Sequence, residues 1–122
     1  MADLPGDAVV VRFGEEITST SLALASLKHF LRHKTYYGIS VNVRPGASAD
    51  ETAARAEAPN RYYCFCTVAD ILQAGFKIDD DIDERGHTNV ILPEPPTSDD
   101  LTTLANCFTG KGENPNRVRR PR

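Results

Sequence analysis

The apolar positions of this chain switch repeatedly between an alternating and a helical period, and each switch marks an element. Ala8 to Phe13 (AVVVRF) is β-branched and bounded by Asp7 and Gly14, which predicts a first, buried strand. From Thr20 to about His33, Leu24, Leu27, Phe30 and Leu31 recur at i, i+3, i+6 and i+7, predicting an amphipathic helix whose stripe faces the sheet. Tyr37, Ile39, Val41 and Val43 alternate with Gly38, Ser40 and Asn42 as in a half-buried strand, and Pro45-Gly46 then turns the chain. Ser48 opens a short Ala-rich helix that must stop by Pro59, because proline disfavours helical geometry in the residue before it. Arg61 to Cys66 (RYYCFC) reads as strand. Thr67 opens a helix to about Ala74 that buries Val68, Ile71 and Leu72, ended by Gly75 with Phe76 folding back. A brief Phe76–Ile78 strand, an acidic loop from Asp79 to Glu84, and a strand from His87 to Leu92 follow. Pro93 to Pro96 forms a stiff linker, and Thr97 opens a last helix with Leu101, Leu104, Ala105 and Phe108 on one face, ended by Gly110.

Three of the helix starts carry a capping box: Ser48/Glu51, Thr67/Asp70 and Thr97/Asp100 each place a hydroxyl three residues before a carboxylate. Helices that link strands in this order predict an α+β fold, a two-layer sandwich with a mixed four- to five-stranded sheet and about four helices. The expected organisation is one domain over residues 1–110 and a disordered tail over 111–122, where Arg117, Arg119, Arg120 and Arg122 have nothing to bury.

Composition narrows the partners. The 122 residues suit one ordinary domain, and 40% hydrophobic with 25% charged residues excludes a wholly disordered chain. A net charge of −3 argues against a dedicated nucleic-acid binder but leaves room for a local basic patch. No apolar run approaches the roughly 18 to 20 residues of a membrane span. Three cysteines, an odd number, with no secretory leader point to a reducing, cytoplasmic setting.

Several residue groups invite chemistry. His29 and His33 are one helical turn apart, the spacing of a metal grip, yet they lie opposite the leucine stripe beside Lys28, Arg32 and Lys34, whose charge repels a cation. No metal or other cofactor is therefore expected. Lys28, His29, Arg32 and His33 instead make a basic helix face suited to phosphate or carboxylate contacts. Cys64 and Cys66 share a strand face with no paired zinc knuckle, and read as buried hydrophobes. Asp79, Asp81 and Asp83 alternate as calcium ligands do, but Glu84 and Val90 stand where that loop needs Gly and Glu. His87 opens a strand directly after the flexible loop, where reactive side chains are often carried. With Arg61, Arg44 and Tyr63, and with Ser40 and Tyr62 nearby in sequence pattern, it suits acid–base chemistry on RNA or a nucleotide phosphate.

The stretches YYGISVNVRPGAS, TVADILQAGFKI and HTNVILPEPPTSDDLTTLANCF resemble a set of small uncharacterised actinobacterial proteins, over about Tyr36 to Phe108. That resemblance implies a small accessory protein, and the compact gene pairs of the group suggest a toxin–antitoxin-like or phage-related role by analogy. The first functional expectation is a macromolecule-binding module with a protein partner, or with nucleic acid through the basic face. The second is an RNA- or nucleotide-directed enzyme, of ribonuclease or ADP-ribosyltransferase type, built on His87. The third is an assembly protein whose Arg-rich tail orders on contact with its neighbours.

Overall fold

The computed structural model describes residues 4–115, in the order β1 (Val9–Phe13), α1 (Ser19–His33), β2 (Gly38–Val43), α2 (Ala49–Ala56), β3 (Tyr62–Thr67), α3 (Val68–Gln73), β4 (Lys77–Ile78), β5 (His87–Ile91), α4 (Ser98–Cys107) and β6 (Gly110–Glu113). The fold is α+β. Its sheet has six strands in the order β4-β5-β2-β1-β3-β6, and every pairing is antiparallel, which corrects the expected mixed sheet of four to five strands.

Each helix starts where its hydroxyl places it. Ser48, Thr67 and Thr97 accept from the backbone N–H three residues on, and the matching carboxylates return the bond. A fourth box, Thr18 with Ser21, uses two hydroxyls and so lacks the acidic signature. Gly75 takes φ +97 after α3, and Phe76 N–H reaches back to the Ile71 carbonyl, as the sequence predicts.

The core lies between one sheet face and three helices. Val10, Ile39, Val41, Val43, Cys64, Cys66 and Val90 meet Leu22 of α1, Val68 and Ile71 of α3, and Leu101, Leu104 and Phe108 near α4. Burying each large aliphatic side chain of this set stabilises the fold by roughly 1.5–3 kcal/mol. The other face is partly covered too: Ala53 of α2 packs on Val11 and Tyr63, so helices lie on both sides rather than in one layer.

Three expectations fail. Helix α1 is rotated: Leu22 and Ser26 are buried, while Leu24, Leu27 and Leu31 are 56%, 45% and 55% exposed. The small Ser26 bonds its hydroxyl back to the Ala23 carbonyl and lets this face approach closely, and Phe30 stacks on Tyr37 at 4.4 Å. Leu72 is likewise turned outward. The chain also continues as strand beyond residue 110. Gly110 and Gly112 lie flat under the rings of their cross-strand partners Phe65 and Tyr63, where a Cβ would run into the ring. The apolar contact comes from the partner strand, so GKGE carries no hydrophobic signal of its own. Asn114 then anchors the end through the Ala58 and Asn60 carbonyls. Arg117, Arg119, Arg120 and Arg122 lie outside the described residues. Among those described, no helix is long and apolar enough to cross a membrane.

Candidate anion-binding site

The site begins with a gap in the sheet. Strands β1 and β2 pair only at Val10–Val43 and Val11–Asn42, after which they part. Val43 N–H bonds the Gly86 carbonyl on the β5 side, so by strand alternation the Ser40 peptide points toward β1 and loses its ladder partner. Arg12 fills the gap: its Nη1 donates to the Ser40 carbonyl at 2.8 Å. A charge-assisted bond of this kind is worth about 1.5–3 kcal/mol. Burial lowers the Arg12 pKa from its ordinary value, yet guanidinium stays protonated at neutral pH and holds a positive charge at the seam.

Strand register sets the next wall. Ser40 faces Asn89 and Asn42 faces His87, so these four side chains share one face of β2 and β5. Ser40 Oγ and His87 Nε2 meet on the diagonal at 2.6 Å. The acidic loop steadies this end of β5. Asp83 Oδ1 accepts from the backbone N–H of both His87 and Arg85, and Asp83 N–H returns a bond to the His87 carbonyl. These bonds, first of all that from His87, lower the Asp83 pKa.

The rotation of α1 supplies the third wall. His29 Nδ1–H donates to the Tyr36 carbonyl at 2.9 Å, which leaves Nε2 as the ring's acceptor when the ring is neutral. Gly38 makes room for that ring, since a Cβ there would lie 2.8 Å from His29 Cε1. His33 sits one turn on, its ring 4.6 Å from that of His29. Tyr36 in turn donates its hydroxyl to Asp79 Oδ2 at 2.9 Å, and its pKa is pushed up to about 12 by burial and by that carboxylate.

These walls enclose a cleft of about 700 Å³ lined by Arg12, Ala25, Lys28, His29, Leu31, Arg32, His33, Ser40, His87 and Asn89. All three histidines of the chain and three of its fixed cations are here, with no Asp or Glu, in a protein whose net charge is −3. The arrangement is an electropositive concavity with hydroxyl, amide and imidazole groups that can donate to an anion. Asn89 Oδ1 is buried and has no hydrogen-bond partner among the described residues. Among these residues no group of three or more His, Cys, Asp or Glu side chains could hold a metal ion.

The structure therefore brings Lys28, His29, Arg32 and His33 together with His87. It does not bring Arg44, Arg61 or Tyr63 to them. Arg44 Nη2 donates to the Glu84 carbonyl in a separate cleft with Arg55 and Arg85, and Arg61 lies over the Tyr62 ring beside Glu113. Tyr63 donates its hydroxyl to Asp50 under α2. The three thiols are removed from the cleft, and burial raises the pKa of Cys64, Cys66 and Cys107, which keeps them protonated and unreactive near neutral pH. Arg12 and Asn89 were not singled out by sequence reasoning. The only signal was polarity out of place, an arginine closing an apolar run and an asparagine inside HTNVIL.

No family model, no curated protein and no solved structure matches the chain.

Proposed function

We propose that this protein is a small macromolecule-binding module whose cleft takes the phosphates of a single RNA strand. The observation that carries the reading is the gathering of Arg12, Lys28, Arg32 and all three histidines around one concavity without a carboxylate. Fixed cations neutralise phosphates, and neutral or charged imidazoles add donors with direction. Fluorescence anisotropy with a labelled single-stranded RNA oligonucleotide tests it: Arg32→Glu and Lys28→Glu each weaken binding by roughly tenfold. Equal affinity for the variants would remove the cleft from the account.

A second reading, RNA cleavage, is favoured by the His87–Ser40 bond and by the free Nε2 of His29, two imidazoles beside one candidate phosphate site. It predicts cleavage products that vanish with His87→Ala and with a 2′-deoxy substrate. Intact RNA after prolonged incubation would leave binding alone.

A further inference from the structure

The leucines that α1 turns away from the core define a second surface. Leu24, Leu27 and Leu31 follow one another at i, i+3 and i+7, the spacing of a coiled-coil seam, and roughly half of each side chain is exposed. Isolated exposed leucines need no explanation, but three in register on one helix form a continuous stripe. Along one flank stand Lys28 and Arg32, both exposed and in no ion pair among the described residues. The helix itself, STSLALASLKHFLRH, contains no carboxylate to balance them.

We infer that this stripe docks an acidic amphipathic helix of a protein partner. A helix matches the leucine spacing, because side chains three and four apart on a second helix fill the holes between Leu24, Leu27 and Leu31. The charge pattern selects its chemistry. Glutamates beside the partner's apolar seam pair with Lys28 and Arg32 and set orientation and on-rate. A second copy of this chain is the less complementary occupant: pairing two α1 stripes about Leu27 places Lys28 near its counterpart with no acid on either helix. Because Lys28, Leu31 and Arg32 also border the cleft, while Leu24 and Leu27 do not, the two surfaces are separable by mutation of Leu24 and Leu27.

The test uses the intact chain and two synthetic helical peptides, both with leucine at heptad positions a and d, one with glutamate and the other with lysine at e and g. The glutamate peptide binds, the lysine peptide does not, and the exposed double variant Leu24→Ser/Leu27→Ser loses about tenfold or more in peptide affinity. That variant keeps its circular dichroism and its RNA affinity, which separates this result from the cleft reading. No binding of the glutamate peptide up to about 1 mM, equal binding of the lysine peptide, or an unchanged affinity in the double variant would each overturn the proposal. So would sedimentation of the free chain as a dimer that the double variant dissociates, since a second copy would then occupy the stripe.

Discussion

Ser40 Oγ and His87 Nε2 lie 2.6 Å apart on the diagonal of the β2–β5 pair, with Ser40 opposite Asn89 and His87 opposite Asn42. The bond orients one imidazole of the cleft from a rigid strand. Both residues are exposed, so the contact positions the ring more than it stabilises the fold. Ser40→Ala and His87→Ala should each change unfolding free energy by less than about 1 kcal/mol in urea titrations. Both should weaken RNA binding several-fold, and the double variant should lose less than the sum, because either single change already breaks the pair.

Gly38 is the residue on which the histidine wall depends. A Cβ there would lie 2.8 Å from His29 Cε1 and 2.9 Å from Tyr36 Cε2, and Gly38 is buried. Gly38→Ala should destabilise the protein by about 1–3 kcal/mol, the usual cost of overpacking. His29→Ala in the same background should recover part of that loss, and a denaturant series on the four proteins measures it.

Salt dependence counts the phosphates engaged. Three fixed cations line the cleft, Arg12, Lys28 and Arg32. If each meets one phosphate of a single strand, log affinity should fall with log salt with a slope of about −2, and Lys28→Ala should reduce its size by roughly 0.7. Binding that is indifferent to salt would require contacts other than phosphate.

How much of this was legible in the sequence depends on which physical signal each residue carries. Capping boxes at Ser48, Thr67 and Thr97 and the Gly75-Phe76 stop are local hydrogen-bond chemistry, and they fixed the starts of α2, α3 and α4 and the end of α3. The orientation of α1 is not local. Periodicity found a true stripe in Leu24, Leu27 and Leu31, but which face turns inward depended on Leu22, on the small Ser26 and on the Tyr36 carbonyl that holds His29. Strand β6 was invisible because its glycines borrow apolar cover from Phe65 and Tyr63. For the site, the basic face of α1 and His87 could be read from the chain, whereas Arg12 enters only because the β1–β2 ladder ends early. Arg44, Arg61 and Tyr63 were grouped with His87 by residue type alone, and other partners hold them.

Tyr36 makes stability depend on alkaline pH. Burial and Asp79 raise its pKa from 10.0 to about 12, so the folded state holds the phenolic proton more tightly than the unfolded chain. The stabilisation is complete below pH 10 and is lost as pH rises toward about 12. Tyr36→Phe should therefore flatten the decline of stability over this window. Phenolate absorbance should show two tyrosines, Tyr36 and the Asp50-bonded Tyr63, ionising later in the native protein than in urea, and Tyr36→Phe should remove one of them.

Asp83 gives the opposite sign at acid pH. Its carboxylate accepts from the His87 and Arg85 amides and has a lowered pKa, so the contribution is present above the ordinary value of 3.8 and disappears as pH falls through the lower folded value. Asp83→Asn should be less stable than the native chain at neutral pH, and the difference should narrow in acid.

The gathering of three imidazoles and three fixed cations around one cleft is tested most directly by NMR of the histidine rings during titration with a short single-stranded RNA. His29, His33 and His87 should shift together and saturate at one RNA per chain, and the Arg12 side-chain signal should move with them. Shifts confined to residues outside the cleft, or no shift in any of the three rings while RNA binds, would contradict the assignment.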